Sequence, residues 1–202
     1  MIGIIDYGVG NLFSLKSSFK YIGVSADLVS DEKGIRACEK LILPGVGAFG
    51  DAADALKKSG LDSVIKAVAS EGKPLMGICL GMQLLFEKGL EFGEHDGLGL
   101  IPGTVVPIQP LIKDNKIPHI GWNKLEFTEQ RGDIYKYTAD GDFVYFVHSY
   151  HAECPDEFVT ARTEYGSMLT ASVQKGNVMG AQYHPEKSGD TGLMILKSFC
   201  EF

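Results

Sequence analysis

The hydrophobic and polar positions of the first ninety residues predict strands that alternate with helices. Short apolar runs bounded by turn residues indicate buried strands at residues 2–6, 26–30, 40–45 and 73–79. Apolar positions at helical spacing predict helices at residues 11–23, 49–72 with a break near Gly60, and 80–89. This alternation is typical of parallel β-α-β units, in which helices cover both faces of one sheet.

The second half of the chain has a different pattern. Residues 97–110 are rich in Gly and Pro, and residues 143–154, 158–166, 169–176 and 178–185 predict strands joined by short turns. Residues 174–180 indicate a hairpin, and residues 190–202 predict a closing helix. Without a repeat, linker or low-complexity tract, we expect residues 1–202 to form one α/β domain. Its central sheet should be mixed but mostly parallel, flanked by helices, with an antiparallel portion in the second half.

Composition and charge exclude several classes of function. The 202 residues carry a formal net charge of -7, so we expect no nucleic-acid partner held by phosphate neutralisation. No apolar run reaches the length of a membrane span, and the N-terminus lacks the basic and apolar segments of a secretory signal. The four cysteines contain no C-x-x-C pair, so we expect no disulfide framework, no zinc site, and reduced thiols in the cytoplasm.

One cysteine lies in a setting that suggests chemistry. The segment GICLG, residues 77–81, has the G-x-nucleophile-x-G layout of a tight turn from a strand into a helix. Glycines on either side remove Cβ atoms that would clash there, and a helix N-terminus favours the thiolate of Cys79. Leu80 follows, and its backbone N–H is a natural oxyanion donor. The alternative for Cys79 is a buried cysteine between packing glycines, which is our interpretation of Cys38, Cys154 and Cys200.

A nucleophilic thiol also needs a base, and the segment QYHPEKS offers His184. Pro185 biases His184 toward extended geometry, in which residues i and i+2 point to the same side. We therefore expect the carboxylate of Glu186 to orient one imidazole nitrogen of His184 and to leave the other for the thiol. Taken alone, this segment is more typical of a surface His–Glu pair.

A second oxyanion donor is expected from another loop at the strand ends. The strand at residues 40–45 runs into Pro44, Gly45, Val46 and Gly47. Gly-rich turns let backbone N–H groups approach a ligand closely, although an ordinary strand-to-helix turn has the same composition.

Together these segments resemble a known family. PLMGICLGMQLLFE (74–87), LPGVGAF (43–49) and QYHPEKS (182–188) resemble the triad-type, class I glutamine amidotransferases. Further segments are similar to the glutaminase subunits of imidazole glycerol phosphate synthase: IIDYGVGN (4–11), GLGLIPG (97–103), HIGWN (119–123) and FVHSYHAE (146–153). The resemblance covers essentially the whole chain and implies a flavodoxin-like sheet.

The resemblance implies a role for each matching residue. Cys79 would attack the carboxamide of glutamine, His184 would serve as base and then acid, and Glu186 would orient His184. Val46, Gly47 and Leu80 would form the oxyanion hole. Positions near the substrate are Gly45, Gln83, Glu91, His148, Ser149 and Tyr150. The residues themselves agree in part, because Gln83 lies one helical turn after Cys79 and Glu91 offers an acceptor for an ammonium group. His148 and Ser149 would otherwise fit a strand end that reaches solvent.

The resemblance also implies a partner. Ammonia would pass through a sealed docking face into a separate cyclase subunit, a (β/α)8 barrel, in a heterodimer that makes imidazole glycerol phosphate for histidine biosynthesis. Residues at matching interface or gate positions are Asn11, Trp122, Tyr145 and Lys187. Trp122 suits an interface anchor, but a tryptophan at the edge of the core fits its sequence nearly as well. Neither a metal nor an organic cofactor is needed for glutamine hydrolysis.

Several other functions compete with this interpretation. A dinucleotide-binding module is suggested by DYGVGN, but Phe13 stands where the G-x-G-x-x-G fingerprint needs its third glycine. An amidase or peptidase could use the same cysteine turn, but such relatives usually lack the HPE segment. A glutaminase for anthranilate synthase fits HIGWN and FVHSYH poorly, whereas one for a paralogous sugar-modification synthase stays open. A non-catalytic interaction subunit is disfavoured because Cys79, His184 and Glu186 are all present.

Overall fold

The computed structural model describes residues 1–112 and 115–202. Its first half contains four strands, β1 (Ile2–Ile5), β2 (Ala26–Val29), β3 (Lys40–Leu43) and β4 (Leu75–Ile78). The helices are α1 (Leu12–Tyr21), α2 (Glu32–Ala37), α3 (Phe49–Ser59), α4 (Leu61–Ser70) and the short α5 (Leu80–Gln83). Gly60, with φ of 73°, separates α3 from α4, which confirms the predicted break.

Most elements of the second half are strands. It contains β5 (Phe86–Gly89), β6 (His95–Asp96), β7 (Ile101–Pro107), β8 (His119–Lys124), β9 (Glu126–Phe127), β10 (Phe143–His148), β11 (Tyr150–Glu153), β12 (Val159–Glu164), β13 (Met168–Lys175) and β14 (Val178–Ala181). Short 3-10 turns lie at Asp133–Tyr135, Asp156–Phe158 and Pro185–Lys187, and α6 (Gly189–Glu201) closes the chain.

Eight strands form the central sheet in the order β2-β1-β3-β4-β14-β13-β12-β9. The five from β2 to β14 pair in parallel, and β13, β12 and β9 continue the sheet with antiparallel pairings. This arrangement confirms the predicted mixed sheet and its antiparallel portion. The pairing of β13 with β14 also confirms the hairpin at residues 174–180.

Side chains on the two faces of this sheet enter two separate apolar cores. On β3, Leu41 and Leu43 join one core with residues of α2, α3 and α4, whereas Ile42 joins the other with residues of α1 and α6. This alternation follows from the two-residue repeat of a strand, and it explains why the parallel strands have continuous apolar runs in the sequence.

Two predicted elements are wrong. The helix expected over residues 80–89 ends at Gln83, and the chain turns into β5, whose Phe86 pairs with Ile101 of β7. The strand expected over residues 143–154 is two strands in two different sheets, because β10 pairs with β8 and β11 pairs with β7. Apolar spacing alone could not place either break, since long-range strand pairing decides both.

Within the described residues, no helix has both the length and the apolar character needed to cross a membrane.

Candidate active site

Three loops at one edge of the central sheet bring the candidate residues together. Strand β4 lies between β3 and β14 and is parallel to both, so the carboxyl ends of all three meet at the same edge. Cys79 follows β4, the turn at residues 44–47 follows β3, and His184 lies shortly after β14. Open α/β sheets bind their ligands at this edge.

Cys79 itself adopts a strained conformation. Its φ of 54° and ψ of -115° lie in a region that non-glycine residues rarely adopt, and the residue caps α5. Glycines make this sharp turn possible: a Cβ on Gly77 would lie 2.5 Å from the Gly81 carbonyl oxygen, and a Cβ on Gly81 would lie 1.9 Å from the Leu43 oxygen. The G-x-C-x-G pattern therefore packs β4, α5 and the end of β3 together and presents the sulfur to the cleft.

His184 and Glu186 form a buried pair beside this sulfur. His184 Nδ1 lies 2.8 Å from Glu186 Oε1, and both side chains are almost fully buried. Burial lowers the pKa of His184, but hydrogen bonding to Cys79 and Glu186 and their negative charges outweigh it and raise the pKa to about 9. At neutral pH, the imidazole therefore carries a proton next to the sulfur.

The geometry of this pair differs from the one expected. His184 is extended, but Pro185–Lys187 is a 3-10 turn rather than a continuing strand, and this turn swings Glu186 back to His184. The His184 backbone is held from β10, since its N–H donates to Tyr145 O at 3.0 Å. The Ser188 hydroxyl donates to His184 O at 2.6 Å, so the backbone of His184 is held at both its N–H and its carbonyl.

A cavity of about 370 Å³ opens over the sulfur. Its lining contains eleven of the residues singled out in the sequence: Val46, Gly47, Cys79, Leu80, Gln83, Glu91, His148, Ser149, Tyr150, His184 and Lys187. Gly45 is not among the lining residues and instead packs against Leu80 and Gly81. The volume suits a small amino acid rather than a polymer.

The family follows from comparison with known proteins. The model of the class-I glutamine amidotransferase family matches residues 3–201. The chain belongs to this family. Relatives named "Imidazole glycerol phosphate synthase subunit HisH" are similar along nearly their whole length. The one from Bacillus cereus is 51% identical over 199 residues, 98% of this chain and 93% of the relative. The one from Caldanaerobacter subterraneus subsp. tengcongensis is 52% identical over 202 residues, 100% of this chain and 98% of the relative.

Solved structures show the same fold at low sequence identity. A crystal structure of a glutamine amidotransferase superimposes with a TM-score of 0.76 at 20% identity, covering 98% of both chains. The structure of PurLQS from Thermotoga maritima gives 0.75 at 22% identity, covering 99% of this chain and 97% of that one. Both comparisons support the class I glutamine amidotransferase architecture.

In this glutamine amidotransferase, the residues predicted to form the oxyanion hole have distinct settings. Leu80 is the first residue of α5, so its N–H has no partner within the helix and lies at the cleft edge. Val46 is 43% exposed, and Gly47 has φ of 96° with open space on the side where other residues carry a Cβ. The second half of this turn therefore has room to rotate.

The His148 ring in the cavity wall is held by hydrogen bonds to neighbouring residues. His148 Nδ1 lies 2.8 Å from Tyr150 O and its Nε2 lies 2.9 Å from His119 Nδ1, so both ring nitrogens already have protein partners. Burial is the main reason that the pKa of His148 is lowered to about 3, so the ring is neutral at pH 7. His148 thus shapes the wall, while Ser149 and the Tyr150 backbone lie at the break between β10 and β11.

Glu91 and Gln83 both line this cavity and are held by different elements. Glu91 Oε2 accepts from the Phe49 N–H at 2.7 Å, which holds its carboxylate at the start of α3. Gln83 Nε2 donates to Tyr150 O at 3.1 Å and to Gln182 Oε1 at 2.9 Å. A carboxylate and several fixed polar groups are what a zwitterionic amino acid needs for binding.

The expected interface residues, apart from Lys187, lie outside the lining of this cavity. Trp122 on β8 pairs with Tyr145 on β10, and their rings meet edge to face with centroids 6.1 Å apart. Trp122 is 52% exposed, so it is not a core residue. Asn11 caps α1 from the neighbouring loop, without a side-chain capping bond.

Sequence reasoning missed two residues that contact this site. Gln182 Nε2 lies 3.9 Å from the Cys79 sulfur, and its Oε1 accepts from Gln83. Its signal was available, because Gln182 lies two residues before His184 in an extended segment. Tyr7 was also missed: its hydroxyl donates to Pro44 O at 2.8 Å. Its position far along the chain from Pro44 leaves no pattern in the sequence.

No metal site is apparent in residues 1–112 and 115–202, where no group of three or more His, Cys, Asp or Glu side chains is arranged to hold an ion.

Proposed function

We propose that this chain is the glutaminase subunit of an imidazole glycerol phosphate synthase, which hydrolyses glutamine and supplies ammonia to a separate cyclase subunit. The observation that carries the proposal is the Cys79–His184–Glu186 constellation at the carboxyl edge of the sheet, in a family member about half identical to HisH subunits over its full length. Residues 1–202 would act as one glutamine amidotransferase domain, in line with a family match over residues 3–201.

The reaction begins at the sulfur. The Cys79 thiolate attacks the carboxamide carbon of glutamine, and the new negative charge on oxygen is stabilised by the Leu80 N–H and a backbone N–H of the Val46–Gly47 segment. The protonated imidazole of His184 then gives its proton to the nitrogen, so that the C–N bond breaks and ammonia leaves. A thioester of Cys79 remains.

Water completes the cycle. Neutral His184 takes a proton from water as the oxygen attacks the thioester carbon, and glutamate leaves as the thiolate of Cys79 returns. His184 regains its proton in this step and is ready for the next turnover. Glu186 accepts from His184 Nδ1 throughout, which keeps the other ring nitrogen directed at the sulfur and the leaving group.

The residues around the Cys79 sulfur would bind glutamine and contact the partner subunit. Glu91 would bind the ammonium of glutamine, with Gln83, Ser149, Tyr150 and His148 shaping the pocket around the rest of the substrate, while Gly45 would hold the oxyanion turn against the start of α5. The cyclase partner would be a (β/α)8 barrel that docks over the cavity in a heterodimer, contacting Asn11, Trp122, Tyr145 and Lys187. Trp122 is exposed and Lys187 lines the cavity, which supports docking of the partner at this side of the molecule. A cytoplasmic location fits the four free cysteines.

The alternative of a paralogous sugar-modification synthase is not favoured, because the relatives described above carry the HisH name.

A coupling assay tests the partner. Glutamate release is measured for this chain alone, with a purified cyclase barrel, and with the barrel plus its ribonucleotide substrate. We expect strong stimulation only in the last mixture, because docking of the loaded barrel over the cavity would hold the Val46–Gly47 backbone N–H toward the oxyanion. Trp122→Ala should reduce this stimulation while leaving the unstimulated rate unchanged. If glutamate is released but the rate never responds to the barrel, the chain is still a glutaminase, but the proposed partner from histidine biosynthesis is wrong.

A further inference from the structure

The turn that follows β3 is anchored at its first peptide and free at its last. The Tyr7 hydroxyl donates to Pro44 O at 2.8 Å, and this hydrogen bond is buried. Gly45 lies so close to the start of α5 that a Cβ there would be 2.7 Å from the Gly81 nitrogen. Gly47, two residues later, has open space around it and a φ of 96°.

Tyr7 reaches this turn from a segment that is itself fixed. Tyr7 is 8% exposed and belongs to the core below the sheet edge, together with Leu43 and Leu80. The neighbouring Asp6 carboxylate accepts from the Gly8 N–H at 3.1 Å, and a Cβ on Gly10 would lie 3.0 Å from the Pro44 ring. Residues 6–10 therefore contact Pro44 at two points, through the Tyr7 hydroxyl and at Gly10.

We propose that Tyr7 is a positioning residue for the oxyanion hole, acting by holding the Pro44 carbonyl so that only the Val46–Gly47 part of the turn can reorient. This inference rests on the proposed glutaminase function. A fixed Pro44 carbonyl sets the plane of the Pro44–Gly45 peptide, and this peptide is the base from which the donor N–H is aimed. Donors aimed at a developing oxyanion act on the transition state rather than on bound substrate.

The hydroxyl keeps its proton across the working range of pH. Burial raises the pKa of Tyr7, and the nearby negative charge of Cys79 raises it further. Tyr7 therefore always donates to Pro44 O, and its contribution should not depend on pH. This separates it from His184, whose protonation changes near the top of that range.

The test compares Tyr7→Phe with the wild-type chain in glutamate release. Removing the hydroxyl should lower kcat about fivefold, the fold-change that corresponds to the net free energy of one typical hydrogen bond, with KM unchanged. The loss should be the same at every pH. Tyr135→Phe is the matched control, since Tyr135 is also buried and its hydroxyl bonds to Ser172 and Tyr183, away from the turn. This control should lower the melting temperature and keep kcat.

The outcomes distinguish this inference from the proposed function. An inactive wild-type chain, alone and with a loaded barrel, would overturn the proposed function. An active wild type with unchanged kcat in Tyr7→Phe would overturn the positioning role alone. Equal losses of kcat in Tyr7→Phe and Tyr135→Phe would show that the Tyr7 hydroxyl only stabilises the fold, which would overturn the positioning role. A change in the shape of the pH profile would make Tyr7 a proton donor, contrary to the proposal.

Discussion

At the scale of single residues, the charge in the candidate site is set by three side chains. The protonated His184 lies between the sulfur of Cys79 and the carboxylate of Glu186, and burial keeps water from screening their interaction. Glu186 Oε2 is buried without a hydrogen-bond partner among the described residues, so its carboxylate is directed mainly at His184. This arrangement ties the protonation of the base to both neighbours.

Replacing Glu186 by Gln should change the pH dependence of glutamate release. Glu186 raises the pKa of His184 through its hydrogen bond and its charge, so its neutral replacement lowers that pKa from about 9. In the wild type, kcat should fall as pH rises through about 9, where His184 loses the proton it gives to ammonia. In Glu186→Gln, this fall should begin at lower pH.

The measurement is the kcat profile from about pH 6 to pH 10 for both chains. Glu201→Gln is the control, because Glu201 is a surface carboxylate paired with Lys136. Identical alkaline limbs in Glu186→Gln and wild type would show that Glu186 does not tune His184.

Residue chemistry was the part most readily predicted from the sequence. The G-x-C-x-G spacing and the short H-P-E segment place their own members close together, since neighbours in sequence are neighbours in space. The structure indeed puts His184 and Glu186 in contact and Cys79 at the turn. Tyr7 shows the limit, because its contact with Pro44 joins distant segments through tertiary packing.

At the scale of elements, glycines decide how closely the strands and the first turn of α5 pack. Gly77 and Gly81 lie where any side chain would overlap backbone atoms of a neighbouring element. Backbone overlap cannot be relieved by a rotamer change, so the element itself must move. The sharp turn that carries Cys79 therefore depends on both glycines.

Gly81→Ala should destabilise the fold by about 2–3 kcal/mol, because the new Cβ would lie 1.9 Å from the Leu43 oxygen. Thermal unfolding should show a melting temperature lower by roughly 4–12 °C for a chain of this size. Gly34→Ala is the control: its nearest atoms, at 3.2 Å, belong to side chains of Asp31 and Val29, and Ala favours helix α2. A Gly81→Ala chain as stable as Gly34→Ala would contradict this account of the turn.

Element boundaries were harder to predict than element types. The strand-helix alternation of the first half was confirmed, whereas α5 proved to be only four residues long. The continuation over residues 84–89 has helical spacing in sequence, but its Phe86–Gly89 stretch pairs as β5 with β7 and β6. Partners far along the chain override local periodicity, and the sequence pattern contains no record of them.

At the scale of the whole molecule, the strand order explains why the candidate site residues lie at one edge of the central sheet. β3, β4 and β14 are adjacent and parallel, so the turn at residues 44–47, Cys79 and His184 meet although they are distant in sequence. The order of these strands was not predictable from hydrophobic pattern alone, which indicated only the fold class. The meeting of these loops was expected through the resemblance to the family, and the sheet order now supplies its physical basis.

The most direct test of the central claim is the release of glutamate from glutamine by Cys79→Ala, measured against wild type under the stimulating mixture. We expect at least roughly a thousandfold loss in Cys79→Ala, because no thioester can form. Cys200→Ala, which changes a half-buried cysteine on α6, should retain the wild-type rate. Unchanged thermal unfolding and barrel binding in Cys79→Ala would confine the loss to chemistry. Normal glutamate release by a folded Cys79→Ala chain would contradict the claim that this cysteine is the nucleophile.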